Sequence, residues 1–501
     1  MMNKMSKLLI LLIPSLSCIT ASAAGVESTM TTDQPNIIII LSDDVGVGDI
    51  KTFYKPSKVT TPNIDKLARQ GMSFTQAYAP ASVCSPSRYG LLTGKYPSRG
   101  PVRYAPARFD SPLTIDTDMV TLPKFLQQQG YKTAHLGKWH LGYGETGITN
   151  WAGDIKPSAP EIGFDYSLGL PTNHSDNFRS YVENHKLLWL KDSVTNLPNK
   201  PTKNDLKKTR FDDEVDSTLT SKAIQFMKTN KDQPFFLYLA LVAVHTHVTP
   251  HKKFRGTSEL GQFGDYINEL DHHVGEIMAT LEELNLADNT ILVFASDNGG
   301  QERDHHTAGK NLNLKDTSQQ VAEKSKTAKT DAKEKFGHRT NGDLSGYKSS
   351  NFEGGFRVPF IVRWPGKVAK NSESKQVFVL TDILATTAGL LEKDLPKSAG
   401  GDSFDFSSVL LGENVTKPIR TTSIFQTPNG LFAFRQVDWK LRYVPDSKTK
   451  GKAVNLLKVP VELYNLAEDP YEKNDVASLH PKRVTDMREL LVAQLERGHS
   501  H

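Results

Sequence analysis

The chain has 501 residues, 38% of them hydrophobic and 23% charged, with 61 Lys and Arg against 56 Asp and Glu. That is room for two to three average domains, or for one large α/β domain with an appendage, and so ordinary a composition excludes collagen-like, coiled-coil and wholly disordered chains. A net charge of +5, evenly spread, gives no reason to expect nucleic acid as a partner.

The N-terminus runs from Lys4 and Lys7 through the apolar stretch Leu8–Ile13 to Ala21-Ser22-Ala23. A basic start, a short apolar core and an A-x-A site predict a secretory signal peptide over 1–23 and a secreted or periplasmic product. The apolar run is far below the roughly 20 residues of a spanning helix, so no transmembrane anchor is expected. Lipid attachment through Cys18 is the alternative, although Ser15-Leu16-Ser17 matches a lipid-attachment box poorly. Of the two cysteines, cleavage leaves Cys84 alone. No disulfide can then form within the chain, and Cys84 is either an inert buried thiol or present for its chemistry.

Beyond the leader, short apolar runs alternate with amphipathic stretches, the pattern of an α/β fold with a mostly parallel sheet flanked by helices. Asn36–Leu41 reads as a buried parallel strand. Asn63–Gln70 and Leu122–Gln129 read as helices closed by Gly71 and Gly130. Phe235–Val244 and Ile291–Ser296 are strand candidates. Between them, apolar residues from Tyr266 to Leu284 recur at three- and four-residue steps, as on one face of a long helix. Residues 301–340 are polar and poor in large apolar side chains, which predicts an insertion. Within 24–400, this makes one large domain. Over 401–501, strand-like pieces at Ser423–Phe425, Leu431–Arg435, Trp439–Val444 and Val461–Tyr464, followed by a helix from Lys482 to Arg497, predict a smaller subdomain with an antiparallel sheet.

Several short stretches carry chemistry. Ser85, Pro86 and Ser87 are helix-start residues, so Cys84 would face amide groups that stabilise anions, and Arg88, four residues on, would stabilise negative charge there. Asp43-Asp44 follows one predicted strand and Asp297-Asn298 another. Strand ends are where open α/β sheets bind ligands, and four hard oxygen donors suit Ca²⁺ or Mg²⁺. Lys138 and His140, two apart, would face one side of an extended segment between glycines. His245 and His247 follow the strand that starts at Phe235.

Cys84-x-Pro86-x-Arg88 with Leu92-Thr93-Gly94 resembles the maturation signature of the formylglycine-dependent sulfatases, and the family's other blocks follow in order across nearly the whole mature chain. The resemblance implies an alkaline-phosphatase-like sandwich. It also implies that Cys84 is oxidised by a formylglycine-generating maturation enzyme to an aldehyde whose hydrate attacks sulfur. Asp43, Asp44, Asp297, Asn298 and residue 84 would hold one divalent cation, usually calcium. Gly137-Lys138-Trp139-His140 is similar to the element in which lysine binds sulfate and histidine handles the formylglycine hydroxyl, and Lys348 to the second sulfate-binding lysine. His245 matches the general acid, with His247 a competitor for the role.

The implied activity is hydrolysis of sulfate esters on a carbohydrate, bacterial polysaccharide sulfatases being the nearest resemblance. Carrageenan-type galactans come first as substrate and glycosaminoglycans next. Arg103, Asn173, His174, His305 and His306 are candidate contacts, chosen because polar residues cluster in the loops between the blocks. A phosphatase or phosphodiesterase of the same superfamily is the first rival, against which the Cys84 signature speaks. A non-catalytic glycan-binding relative is the second, against which the filled catalytic positions speak.

Overall fold

A computed structural model describes residues 34–103, 106–145, 149–175, 179–188, 210–301, 337–444 and 455–501. The expected signal peptide, most of the 301–340 insertion, and His305 and His306 lie outside the described residues.

The strands are β1 (Asn36–Ser42), β2 (Met72–Phe74), β3 (Ala77–Tyr78), β4 (Lys132–Lys138), β5 (Tyr166–Leu170), β6 (Val182–Glu183), β7 (Lys186–Leu187), β8 (Phe235–Ala240), β9 (Thr290–Ser296), β10 (Phe360–Arg363), β11 (Ser372–Ser374), β12 (Phe378–Val379), β13 (Thr422–Gln426), β14 (Phe432–Gln436), β15 (Trp439–Tyr443) and β16 (Val461–Asn465). Ten of them form one mixed sheet in the order β11-β2-β10-β9-β1-β8-β4-β5-β6-β7. Its centre, β9-β1-β8-β4-β5, is parallel.

The unbroken apolar run in β1 has a direct cause. Ile37, Ile39 and Leu41 enter one core and Ile38 and Ile40 the other, so both faces of the strand are covered. The helices α1 (Pro62–Arg69), α4 (Val215–Thr229) and α5 (Gln262–Glu283) cover the second face through residues such as Leu67, Leu219 and Leu270. On the first face, α2 (Cys84–Thr93) and α3 (Leu122–Gln128) contribute Leu91, Leu92, Phe125 and Leu126.

At the C-terminus, β13-β14-β15-β16 form an antiparallel sheet. The helix Pro481–Arg497 adds Met487 and Leu491 to its core, which also takes in Tyr78, Tyr96, Phe356 and Val379 from outside the small sheet.

Three local expectations change. The strand expected over 235–244 ends at Ala240, because Asp216 of α4 takes the Val242 and Ala243 amides at 2.8 and 3.0 Å. Gly130 is left-handed (φ +88°) beyond α3, as a helix-closing glycine should be. Gly71 is absent from the left-handed set. It is there for space, since a Cβ would lie 2.1 Å from the Val362 carbonyl oxygen. His140 lies past the end of β4 with φ +56°, so it does not share an extended segment with Lys138.

Candidate active site

Four neighbouring parallel strands deliver the site at their C-terminal ends, where carbonyl-end loops diverge and leave a crevice. Asp43 and Asp44 follow β1, Asp297 and Asn298 follow β9, Lys138 ends β4, and His245 follows β8. The carboxylates, Asn298 and Lys138 are fully buried. Asp44 takes a left-handed turn (φ +63°) that turns the chain beside its neighbour.

Cys84 is the first residue of α2, as its helix-start neighbours suggested, and is buried. Its thiol donates to Asp43 Oδ1 at 3.4 Å, and Lys348 Nζ lies 3.4 Å from Sγ. Arg88, expected to stabilise negative charge at position 84, is fully buried and lies 3.6 Å from Asp43, the acceptor of the Cys84 thiol. Its guanidinium is spent on Asp297 Oδ2 (2.7 and 3.0 Å) and on the Lys138 carbonyl (2.8 Å). Burial, with Asp297 and Asp43 nearby, pushes the thiol up to about 12, so the thiol itself is a poor nucleophile.

Charge is balanced pairwise. Lys138 Nζ sits 2.6 Å from Asp43 Oδ2, and Lys348 Nζ sits 2.6 Å from Asp44 Oδ1. Burial alone would raise both carboxyls. Lys138, His245 and Arg88 outweigh it at Asp43, and Lys348 and His245 at Asp44, so each stays below the usual carboxylate range. Asp297 is instead pushed up to about 6 by burial and by Asp43.

His245 Nε2 lies 3.9 Å from Asp44 Oδ2, whereas His247 is exposed. Burial, then Lys138, brings His245 down to about 4. His140 is likewise held well below its ordinary value, by burial and then Lys138 and Arg88.

The donor set can hold a metal cation. Asp43, Asp44, Cys84 and His245 bring ligand atoms within 4.8 Å of one another. The buried Asp44 Oδ2 and Asn298 Oδ1 have no hydrogen-bond donor among the described residues, and an unpaired buried oxygen is costly unless something else meets it. Asn298 Nδ2 meanwhile donates to Asp44 Oδ1 at 2.9 Å, which points its oxygen away from that bond.

The proposed substrate contacts are scattered. His174 is buried and binds the His247 carbonyl (2.8 Å) and Thr249 Oγ1 (3.0 Å), so it supports the His245 loop from beneath. Asn173, half-buried, precedes it. The Arg103 carbonyl accepts from Gln426 of β13, in a loop also tied to α2 where Ala107 N donates to Ser85 Oγ. Sequence reasoning missed Gln301, which pairs with Thr246 at 3.2 Å beside His245, and Asp216, which lies on a helix whose pattern was not singled out.

Residues 35–393 match the sequence profile of the Sulfatase family. The chain belongs to the sulfatase family. This sulfatase is 37% identical to an N-acetylgalactosamine-6-O-sulfatase of Bacteroides thetaiotaomicron, over 98% of this chain and 99% of that protein. It is 29% identical to the N-acetylgalactosamine-6-sulfatase of Rattus norvegicus, over 92% of this chain and 84% of the rat protein. Among solved structures, a sulfatase described with the metabolism of multiple glycosaminoglycans by Bacteroides thetaiotaomicron superposes with a TM-score of 0.78 at 36% identity, covering 93% of this chain and all of the other. The protein is thus a sulfuric ester hydrolase. The alkaline-phosphatase-like sandwich expected from the resemblance is the fold that these sulfatases share. Among the described residues, no helix is long and apolar enough to cross a membrane.

Proposed function

We propose that this sulfatase removes the 6-O-sulfate of N-acetylgalactosamine units in glycosaminoglycan-derived oligosaccharides. The similarity to the Bacteroides N-acetylgalactosamine-6-O-sulfatase, which runs through almost the entire length of both chains, carries the proposal. Glycosaminoglycans therefore move ahead of carrageenan. A structural neighbour bound to a neocarrahexaose is 24% identical, a distance at which the likeness concerns fold.

Asp43, Asp44, Asp297, Asn298 and residue 84 would hold one calcium ion, which as a Lewis acid would draw charge from the sulfuryl oxygens. Cys84, matured by a formylglycine-generating enzyme, would supply a hydrated aldehyde as nucleophile and later release sulfate without water attacking sulfur. The polypeptide's own contribution is electrostatic and prototropic. Lys138 and Lys348 place one ammonium group against Asp43 and one against Asp44, where they meet the sulfate's charge in a buried site. Arg88 fixes Asp297 and the end of β4, and so the position of Lys138. His245 protonates the sugar oxygen as its bond to sulfur breaks. It is neutral in the free enzyme because of burial and of Lys138, and a bound sulfate anion offsets those cations, so the imidazole takes up a proton from solvent when substrate binds. With residue 84 matured, His140 would be the group to accept a proton there as sulfate leaves. Cleavage of the signal peptide would put the enzyme in the periplasm or outside the cell, where such polymers are degraded.

The test is sulfate release from defined oligosaccharides, with mass spectrometry of the peptide containing residue 84. The expected result is turnover of N-acetylgalactosamine-6-sulfate units well above that of 4-sulfated isomers and carrageenan oligosaccharides. The aldehyde mass is expected at residue 84, and activity should be lost to a chelator and restored by Ca²⁺. Equal turnover of the 4-sulfated isomer would overturn the substrate, and an intact thiol in fully active enzyme would overturn the nucleophile.

A further inference from the structure

The loop that carries His245 is pinned from below by buried polar groups that take no part in the chemistry above. Asp216, 2% exposed in the first turn of α4, takes the Val242 amide at 2.8 Å on one carboxylate oxygen and the Ala243 amide at 3.0 Å on the other. Those two amides open the turn in which His245 N donates back to the Val242 carbonyl at 2.9 Å. At the far end of the loop, Glu269 of α5 takes the His251 amide at 2.8 Å, and His273 lies 3.5 Å from the other Glu269 oxygen. His174 holds the middle through the His247 carbonyl.

A carboxylate that captures two successive amides fixes the direction of both peptide planes, and it does so just past the end of β8 at Ala240. The direction in which the chain leaves the sheet decides where the imidazole three residues after Val242 can reach. We infer, resting on the general-acid role of His245, that Asp216 is a positioning residue. It sets the turn so that His245 faces Asp44 and the leaving oxygen, and Glu269 closes the other end of the same loop. Asp216 touches neither substrate nor the reacting atoms. Its effect on rate passes through the geometry of His245, and small errors in the placement of a reacting group are expensive.

The test is a double-mutant cycle on the full-length enzyme, read as kcat for whichever sulfate ester the wild type turns over, with thermal unfolding recorded for each variant. Asp216→Asn is expected to lower kcat by about 100-fold with little change in KM. In the His245→Ala background the same substitution should cost at most a few-fold. A structural role would lower Tm but impose the same kcat penalty in both backgrounds, and equal penalties overturn the proposal. If Asp216→Asn does not accumulate as folded protein, Asp216→Glu, which keeps the charge and shifts the carboxylate, goes through the same cycle with the same two outcomes. Failure of the underlying reading is distinguishable: His245→Ala alone would then leave kcat unchanged, which overturns the acid role and the positioning role together.

Discussion

At the residue scale, the site is organised around Asp43, which accepts from the Cys84 thiol, pairs with Lys138 and lies 3.6 Å from Arg88. Removing either lysine leaves a buried carboxylate without its nearest cation. Lys138→Ala and Lys348→Ala are each expected to reduce kcat/KM for the sulfate ester by about 100-fold or more, as the loss of a buried electrostatic contact does. Steady-state kinetics on both variants checks this, and activity near the wild-type level would remove the lysine concerned from the reaction. His245 yields a pH prediction whose sign can be worked out. As the proposed general acid it would act in its protonated form, so rate is expected to fall as pH rises through its pKa. Free enzyme holds that pKa down near 4 through burial and the surrounding cations, and bound sulfate raises it. The falling limb of kcat should therefore lie at higher pH than that of kcat/KM, and His245→Ala should flatten both. Coincident limbs would show that sulfate does not recharge the imidazole.

At the scale of elements, the site depends on how closely β4 and β8 approach. Gly137 pairs with Ala240 across these strands at φ +123°, and a Cβ there would lie 1.9 Å from the Ala240 carbonyl oxygen. Gly137→Ala is expected to cost about 3 kcal/mol through strain and overpacking. It should also displace Lys138, the next residue, so a lowered Tm in thermal unfolding should come with a loss of sulfate release beyond the unfolded fraction. An unchanged Tm would mean that β4 can move aside. The elements themselves were legible where periodicity was strong. β1 and the long helix α5 appear where the apolar pattern placed them, and the four C-terminal strands are each found within about a residue of their expected ends. The end of β8 was not legible, because its cause is a carboxylate on α4, distant in sequence, that competes for its amides.

For the whole molecule, the C-terminal sheet does more than bury apolar surface. Lys440 of β15 sits 2.9 Å from both Glu353 and Glu472, all three side chains fully buried, while Tyr78 and Arg357 share the other Glu353 oxygen. Glu472 also accepts the Glu353 amide, and the Ser345 hydroxyl donates to the Tyr471 carbonyl at 2.6 Å. The segment between Ser345 and Glu353 contains Lys348, so C-terminal residues brace the loop that carries a sulfate-binding candidate. Lys440→Met would leave the buried Glu472 without its cation, Glu353 keeping Arg357, and is expected to cost about 3–5 kcal/mol. Urea unfolding measures this, and the residual folded enzyme should show a raised KM as Lys348 loses its brace. A loss below about 1 kcal/mol would show that Glu472 takes up a proton without penalty.

The sequence by itself determined the family-bearing signature at Cys84, the oxygen pairs at two strand ends, the Lys138 and Lys348 elements, and the alternation of strands and helices. These are local: each is a residue type, a spacing or a periodicity, and each survives being read without its neighbours in space. Only the tertiary structure decided where Arg88 spends its charge, which of His245 and His247 faces Asp44, and that His140 leaves the strand that Lys138 ends. Those outcomes depend on which groups meet across four adjacent strands. In a buried site the nearest opposite charge, rather than the sequence neighbour, determines what a side chain does.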